Sequence, residues 1–290
     1  MKRIFTFALT AVLCLVAFAG CSAAETPAPS AASSAAAPSE PVETEPALSG
    51  TVATNGSTSM ENVIAGLMEA FMANNAGVTV TYDATGSGAG ITAAGEGTAD
   101  IGLSSRDLKV EETGLDALIV AIDGIAIIVN KANAVADLSL EQIAALAKGE
   151  AASWKDVGGA DAPVVFIGRE AGSGTRDGFE SIVGVADACE YEQELTSTGA
   201  VIAAVAANEN AIGYASLSAV NDTVAMVRVG GVEASEATVL DGSYEIQRNF
   251  NLITKQGAAL SAAAEAFIAF ALSPDAAAII AQAGAIPPAK

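Results

Sequence analysis

The chain has 290 residues, 51% of them hydrophobic, with 13 Lys and Arg against 34 Asp and Glu and a formal net charge of −21. That hydrophobic content excludes disorder over most of the length, and the acidity excludes nucleic acid as a partner, because binding it takes a basic surface. With no His and three Cys, the ligand sets of common metal sites and the usual base of a hydrolytic triad are missing, so no metal and no cofactor is implied.

Lys2 and Arg3 precede an apolar run from Ile4 to Phe18, which has the charge and length of a secretory signal and is short for a membrane span. Phe18-Ala19-Gly20-Cys21 resembles the end of a lipoprotein signal. Residues 1–20 are therefore expected to be a signal peptide, and Cys21 to be the lipidated (palmitate-type) new N-terminus. Residues 22–48 are Ala, Pro, Ser, Glu and Thr with almost no large apolar side chain, a composition that cannot offset chain entropy. Residues 21–48 thus read as a lipidated Cys and a disordered tether, and two acyl chains would anchor it stably to the cell membrane. Cys189 is left without a partner and reads as a buried, inert thiol, with no His to activate it.

From Ser49 short apolar runs alternate with amphipathic ones. Thr51 to Thr54 predicts a strand, Met60 to Asn74 a helix with Val63, Ile64, Leu67, Met68 and Phe71 at helical spacing, and Val78 to Tyr82 a second strand. A short helix after Gly86 and a strand at Ile101 to Leu103 complete a βαβαβ order, which implies a mostly parallel, helix-covered sheet. A long apolar stretch, Leu118 to Val129, is expected to break at Asp123-Gly124. Further elements follow: helix Leu140 to Ala147, strand Val164 to Gly168, helices Arg176 to Val183 and Ala200 to Ala207, and strand Ala211 to Tyr214. Tyr244 to Thr254 predicts a returning strand, and helices near Leu260 to Leu272 and Ala276 to Ala283 close the chain. Trp154 is expected at a helix end as a packing anchor.

Three loops combine Gly with hydroxyl residues where a helix is expected to begin: Asn55 to Ser59, Gly86-Ser87-Gly88-Ala89-Gly90, and Arg169 to Arg176. Unpaired N–H groups and the helix dipole at such points favour an oxyanion, Gly allows close approach, and Ser and Thr add donors. Ligands of parallel sheets sit outside the carboxyl ends of the strands, where these loops fall. Arg169, just past a strand end, suits forked contacts with an oxyanion. Arg106 is suited equally to a ligand contact or an ion pair, and Arg176 to a supporting role. Thr58, Ser59 and Thr175 are suited to capping as well as to binding. An enzyme is the competing class, yet Ala171 and Thr85 stand where a nucleophile elbow needs Gly, and the P-loop Lys is missing.

With these loops in place, the sequence resembles the phosphate-binding lipoproteins of bacterial ABC importers, within the periplasmic-binding-protein type II superfamily. The resemblance runs from about Ser49 to the C-terminus. It rests on Gly56-Ser57-Thr58-Ser59, Gly86 to Ile91, Ala99 to Arg106, Asp123-Gly124-Ile125-Ala126, Ser153 to Gly159, and Arg169 to Arg176 with Phe179-Glu180. It implies an α/β fold of two lobes, each a mostly parallel sheet flanked by helices, joined by two crossing strands: 49–122 plus 246–290 for lobe one, 123–245 for lobe two. It also implies a non-enzymatic, monomeric receptor that captures inorganic phosphate and delivers it to an ABC-type phosphate permease. The ligand residues it maps are Thr58, Ser59, Ser87, Arg169, Ser173, Gly174 and Thr175, to which Ser105 and Arg106 are added as candidates. Many relatives carry at position 105 an Asp that accepts the proton of hydrogen phosphate. Ser105 stands there instead, with Asp107 and Asp123 as substitutes, so other tetrahedral oxyanions such as sulfate remain alternatives. An adhesion or signalling lipoprotein and a serine-dependent phosphoester hydrolase are weaker ones.

Overall fold

The computed structural model describes residues 47–288; the expected signal peptide, Cys21 and the tether up to residue 46 lie outside the described residues. The described residues belong to one compact unit. It opens with strand Ser49–Gly56 (β1), helix Glu61–Asn74 (α1) and strand Gly77–Ala84 (β2). Helix Ser87–Glu96 (α2) then leads into strand Ile101–Ser104 (β3). Strands joined by a helical crossover run parallel, and β1 pairs in parallel with β2 on one side and β3 on the other. Helix α1 buries Val63, Ile64, Leu67 and Phe71, the helical spacing that sets one apolar face against the sheet.

Leu115–Asn130 (β4) is one strand of 16 residues. After it come strand Asp137–Leu138 (β5), helix Leu140–Ala147 (α3), strand Val165–Arg169 (β6) and helix Gly174–Val183 (α4). Strand Gln193–Leu195 (β7), helix Thr198–Ala207 (α5), strands Ala211–Ser216 (β8) and Val224–Val229 (β9), and helix Glu236–Leu240 (α6) follow. The chain returns along Gln247–Lys255 (β10) and ends on helices Ala262–Ala271 (α7) and Pro274–Gln282 (α8). The strand order is β2-β1-β3-β10-β4-β8-β6-β7, with β9 on β4 and β5 on β9. Every antiparallel pair between these strands includes β4 or β10; the others are parallel.

The two crossing strands therefore join two α/β lobes. Buried apolar side chains fall into two large clusters, one around Ile64, Leu103, Phe250 and Phe267, the other around Ile127, Trp154, Phe179 and Tyr214. In the first, Phe71 meets Phe267 edge-on with ring centroids 5.3 Å apart; in the second, Phe179 stacks on Tyr214 at 4.2 Å.

Several boundaries differ from the sequence reading. Strand β4 does not break at Asp123-Gly124. Gly124 stays in register with Gln247, and Asp123 is satisfied by Ser216, the Ser218 N–H and Arg248. Helices α4 and α5 each start two residues earlier than expected, because Ser173 accepts from the Arg176 N–H and Ser197 from the Ala200 N–H, placing both serines at N-caps. Trp154 opens a 3-10 turn, Trp154–Val157, closed by a reciprocal Ser153–Asp156 capping box. It is buried, with its indole N–H on the Asn210 carbonyl. Strands β5, β7, β9 and helix α6 had no counterpart in the sequence reading. Two of them are only two and three residues long and exist through pairing with distant strands rather than local pattern.

Candidate functional site

The carboxyl ends of β1, β2, β3 and β6 deliver four loops to one place at the boundary between the lobes. The β1 loop carries Ser57, Thr58 and Ser59, the last two in a 3-10 turn capped by the Ser57 hydroxyl. The β2 loop ends at Gly86, whose φ of 97° lies in the region only Gly enters readily. That turn sets Ser87 at the first position of α2. The β3 end supplies Ser105, and the β6 end supplies Arg169 and then Ser173, Gly174 and Thr175 at the start of α4. Residues 58, 59, 87, 105, 169, 173 and 175 are all buried.

The hydroxyls form a continuous network across the boundary. Ser57 donates to Ser105 Oγ at 2.9 Å, and Ser87 Oγ accepts from the Ser105 N–H at 3.0 Å. From the other lobe, Thr175 Oγ1 lies 2.7 Å from Ser59 Oγ. Thr198 Oγ1, at the start of α5, lies 3.1 Å from both Thr58 Oγ1 and Ser59 Oγ. The backbones meet as well, the Gly88 N–H donating to the Gly172 carbonyl at 2.9 Å. A Cβ at Gly174 would collide with Ser87 Oγ and stand 2.7 Å from Ser105 Oγ, so only Gly lets α4 approach this closely. Three helix N-termini thus converge on buried hydroxyls that can donate or accept, a polar cluster that favours a negative charge.

Arg169 is the cation of the cluster, 1% exposed. Its Nη1 donates to Thr58 Oγ1 at 3.0 Å and Thr198 Oγ1 at 3.3 Å, and its Nε to the Leu195 carbonyl. Its Nη2 donates to Glu170 Oε1 and the Thr196 carbonyl. Behind it, the Tyr214 hydroxyl accepts from the Arg169 N–H and lies 3.0 Å from the Tyr191 hydroxyl. Tyr191 donates to Glu180, which also binds Arg176. Burial pushes both phenols well above the ordinary tyrosine range, so they act as neutral hydrogen-bonding groups. Arg176 Nη1 donates to the Arg169 carbonyl, the supporting position expected for it. Tyr82 donates to the Ser57 carbonyl and steadies the first loop.

Of the sequence-derived candidates, the structure brings together Thr58, Ser59, Ser87, Ser105, Arg169, Ser173, Gly174 and Thr175. Arg106 is the exception. Its guanidinium forks onto Glu112 with two 2.7 Å contacts and faces Asp177 at 2.8 Å, the ion-pair arrangement of its two readings, and it makes no hydrogen bond to the hydroxyl cluster. The proposed carboxylate substitutes are engaged elsewhere: Asp107 accepts from Asn249 and Asn251, and Asp123 belongs to the crossing strands. Cys189 is half-buried, donates weakly to the Val185 carbonyl, and is pushed up to about 11 by burial, which keeps it a thiol. Thr198 was missed, although Thr196-Ser197-Thr198-Gly199 ahead of an apolar helix carries the same Gly-and-hydroxyl signature as the other loops.

Residues 41–275 match the model of the PBP superfamily domain. Phosphate-binding protein PstS of Bacillus subtilis is 30% identical over 216 residues, 72% of this chain and 71% of its own. The chain belongs to the PBP superfamily, in its phosphate-binding-protein family. Among solved structures, a chain from Clostridium perfringens described as a phosphate ABC transporter substrate-binding protein with bound phosphate superposes with a TM-score of 0.80. It is 41% identical and covers 83% of this chain and all of its own. An ABC-type phosphate transport receptor from Vibrio cholerae gives 0.69 at 31% identity, over 82% of this chain and 100% of its own. In this chain the boundary between lobes holds the hydroxyl and Arg169 cluster.

Proposed function

We propose that this chain is an extracytoplasmic receptor that closes two lobes on inorganic phosphate and hands it to an ABC permease. The observation that carries the reading is the buried cluster itself: Arg169 and a ring of Ser and Thr hydroxyls, drawn from both lobes onto the first turns of α2, α4 and α5. Such donors match a tetrahedral oxyanion on several sides, and charge-assisted contacts in a dry site are the strong ones. The net charge of −21 does not oppose this, because exposed charges beyond about 8 Å are largely screened at physiological salt. Lobe one is assigned to 49–122 plus 246–290 and lobe two to 123–245, with Thr58, Ser59, Ser87 and Ser105 from the first and Arg169, Ser173, Gly174, Thr175 and Thr198 from the second. Lipidation at Cys21 and a tether to residue 48 would hold a monomeric receptor at the membrane. The role is capture and delivery without turnover.

One observation favours a second reading, a receptor for another tetrahedral oxyanion such as sulfate. Among the described residues, the only carboxylate hydrogen-bonded to the cluster is Glu170, whose Oε1 accepts from Arg169, so the proton of hydrogen phosphate would fall to hydroxyl oxygens or to the buried, unpartnered Glu170 Oε2. Isothermal titration of residues 45–290, stripped of anion by unfolding and refolding, separates the two. Tight one-to-one phosphate binding that excess sulfate leaves unchanged is expected; binding of sulfate alone would replace the first reading by the second.

A further inference from the structure

Arg106 leaves the end of β3 one residue past Ser105, yet its charge is directed away from the hydroxyl cluster. The fork onto Glu112 fixes the guanidinium within its own lobe, since Glu112 also accepts from the Lys109 N–H. Nε then stands 2.8 Å from Asp177 Oδ2, a charge contact without hydrogen-bond alignment. Lys109 Nζ lies 3.1 Å from the same oxygen. Asp177 is carried by α4, two residues beyond Thr175, and so belongs to the other lobe. Two cations on one lobe converge on one carboxylate of the other, beside a groove of about 540 Å³ that reaches Ile122 and Arg248 on the crossing strands.

We propose that Arg106, Lys109 and Asp177 form an inter-lobe latch that stabilises the closed arrangement, and that Arg106 is a positioning residue rather than a ligand contact. Moving α4 away from the β3 end parts these charges together with the Ser59–Thr175 and Gly88–Gly172 contacts, so the latch and the ligand favour the same closed state. A ligand that binds the closed state has an apparent affinity equal to its intrinsic affinity multiplied by the fraction of molecules already closed. The latch raises that fraction. Arg106 is 8% exposed and Asp177 24%, a partly dry setting in which a charge contact outweighs an exposed surface pair. The part of this inference that concerns affinity rests on the phosphate reading; the part that concerns lobe separation does not.

The test uses residues 45–290 with spin labels at Glu69→Cys and Asp222→Cys, one on each lobe, in a Cys189→Ala background. Asp177→Asn is expected to lengthen and broaden the ligand-free inter-lobe distance and to weaken inorganic phosphate binding about tenfold, mainly through faster dissociation. Asp177→Glu, which keeps the charge, is expected to recover most of both. Arg106→Gln is expected to weaken binding in the parent but to add little once Asp177→Asn is present. Unchanged distance and affinity in Asp177→Asn would overturn the proposal. So would an equal loss from Arg106→Gln with and without Asp177→Asn, which would make Arg106 act on the ligand directly. A parent that binds no phosphate defeats the phosphate reading alone, and the distance measurement then decides the latch by itself.

Discussion

Arg169 uses all three guanidinium nitrogens on partners that the fold supplies: the Leu195 and Thr196 carbonyls, Glu170, Thr58 and Thr198. A planar fork satisfies these directions at once, whereas an ammonium is a point charge with three donors on a flexible stem. Arg169→Lys is therefore expected to lower phosphate affinity about a hundredfold, since a hydrogen bond to a charged group is worth roughly 1.5–3 kcal/mol, with calorimetric titration as the check. The same variant leaves buried carbonyls without donors, so its melting temperature should fall as well. Tyr214→Phe probes the support from behind. Removing the hydroxyl that accepts from the Arg169 N–H is expected to destabilise the fold by about 1–2 kcal/mol, measured by denaturant unfolding, and to weaken binding less than Arg169→Lys does.

At the scale of elements, two glycines separate closure from folding. The nearest atoms a methyl at Gly174 would meet belong to Ser87 and Ser105 across the lobe boundary, so Gly174→Ala is expected to fold and to lose phosphate binding, because α4 can no longer close. A methyl at Gly90 would collide with the Asn55 carbonyl and stand 2.6 Å from Gly56 Cα, inside one lobe. Gly90→Ala is expected to lower stability by about 1–3 kcal/mol or more, since overpacked backbone has no easy relaxation. Urea melts of the two variants read this difference directly. The crossing strands hold a third element of this kind. Asp123 and Arg248 stand opposite each other on β4 and β10, both buried, with Oδ2 and Nη2 3.1 Å apart. Burial raises the Asp123 carboxyl and lowers the Arg248 guanidinium from their ordinary values. Removing one partner leaves an uncompensated charge, so Asp123→Ala is expected to cost about 3–5 kcal/mol, seen as a lower urea midpoint.

For the whole molecule, acid is the informative perturbation. Arg106 holds the Glu112 carboxyl below its ordinary value, helped by the Lys109 N–H. A carboxylate whose folded value lies below its unfolded one contributes stability that is present above the unfolded value and is lost as pH falls through the folded one. Glu112→Gln should therefore be less stable than the parent near neutrality, with the gap closing as the pH is lowered below about 4.5, followed by circular dichroism. Because Glu112 fixes the guanidinium that faces Asp177, the same acid range should also loosen the contact between lobes.

The sequence by itself determined the α/β alternation, the loops at strand ends and eight of the nine ligand-site candidates that the structure gathers, because helical spacing, Gly positions and N-capping hydroxyls are local signals. Arg169 is among the eight, because its place at a strand end is a local fact. What tertiary structure decided is which charge meets which. Nothing local distinguishes Arg106, tied to Glu112 six residues on and to Asp177 on the other lobe, from an oxyanion ligand. Nothing local removes Asp107 and Asp123 from the site, since their partners Asn249, Asn251 and Arg248 arrive on the returning strand. Thr198 joins the cluster only because α5 packs beside β1's loop, and β5, β7 and β9 exist only through their neighbours. The contacts that sort these charges, Arg106 with Asp177, Asp107 with Asn249 and Asn251, and Asp123 with Arg248, join residues about 70 to 145 positions apart, and no local window of sequence contains both partners.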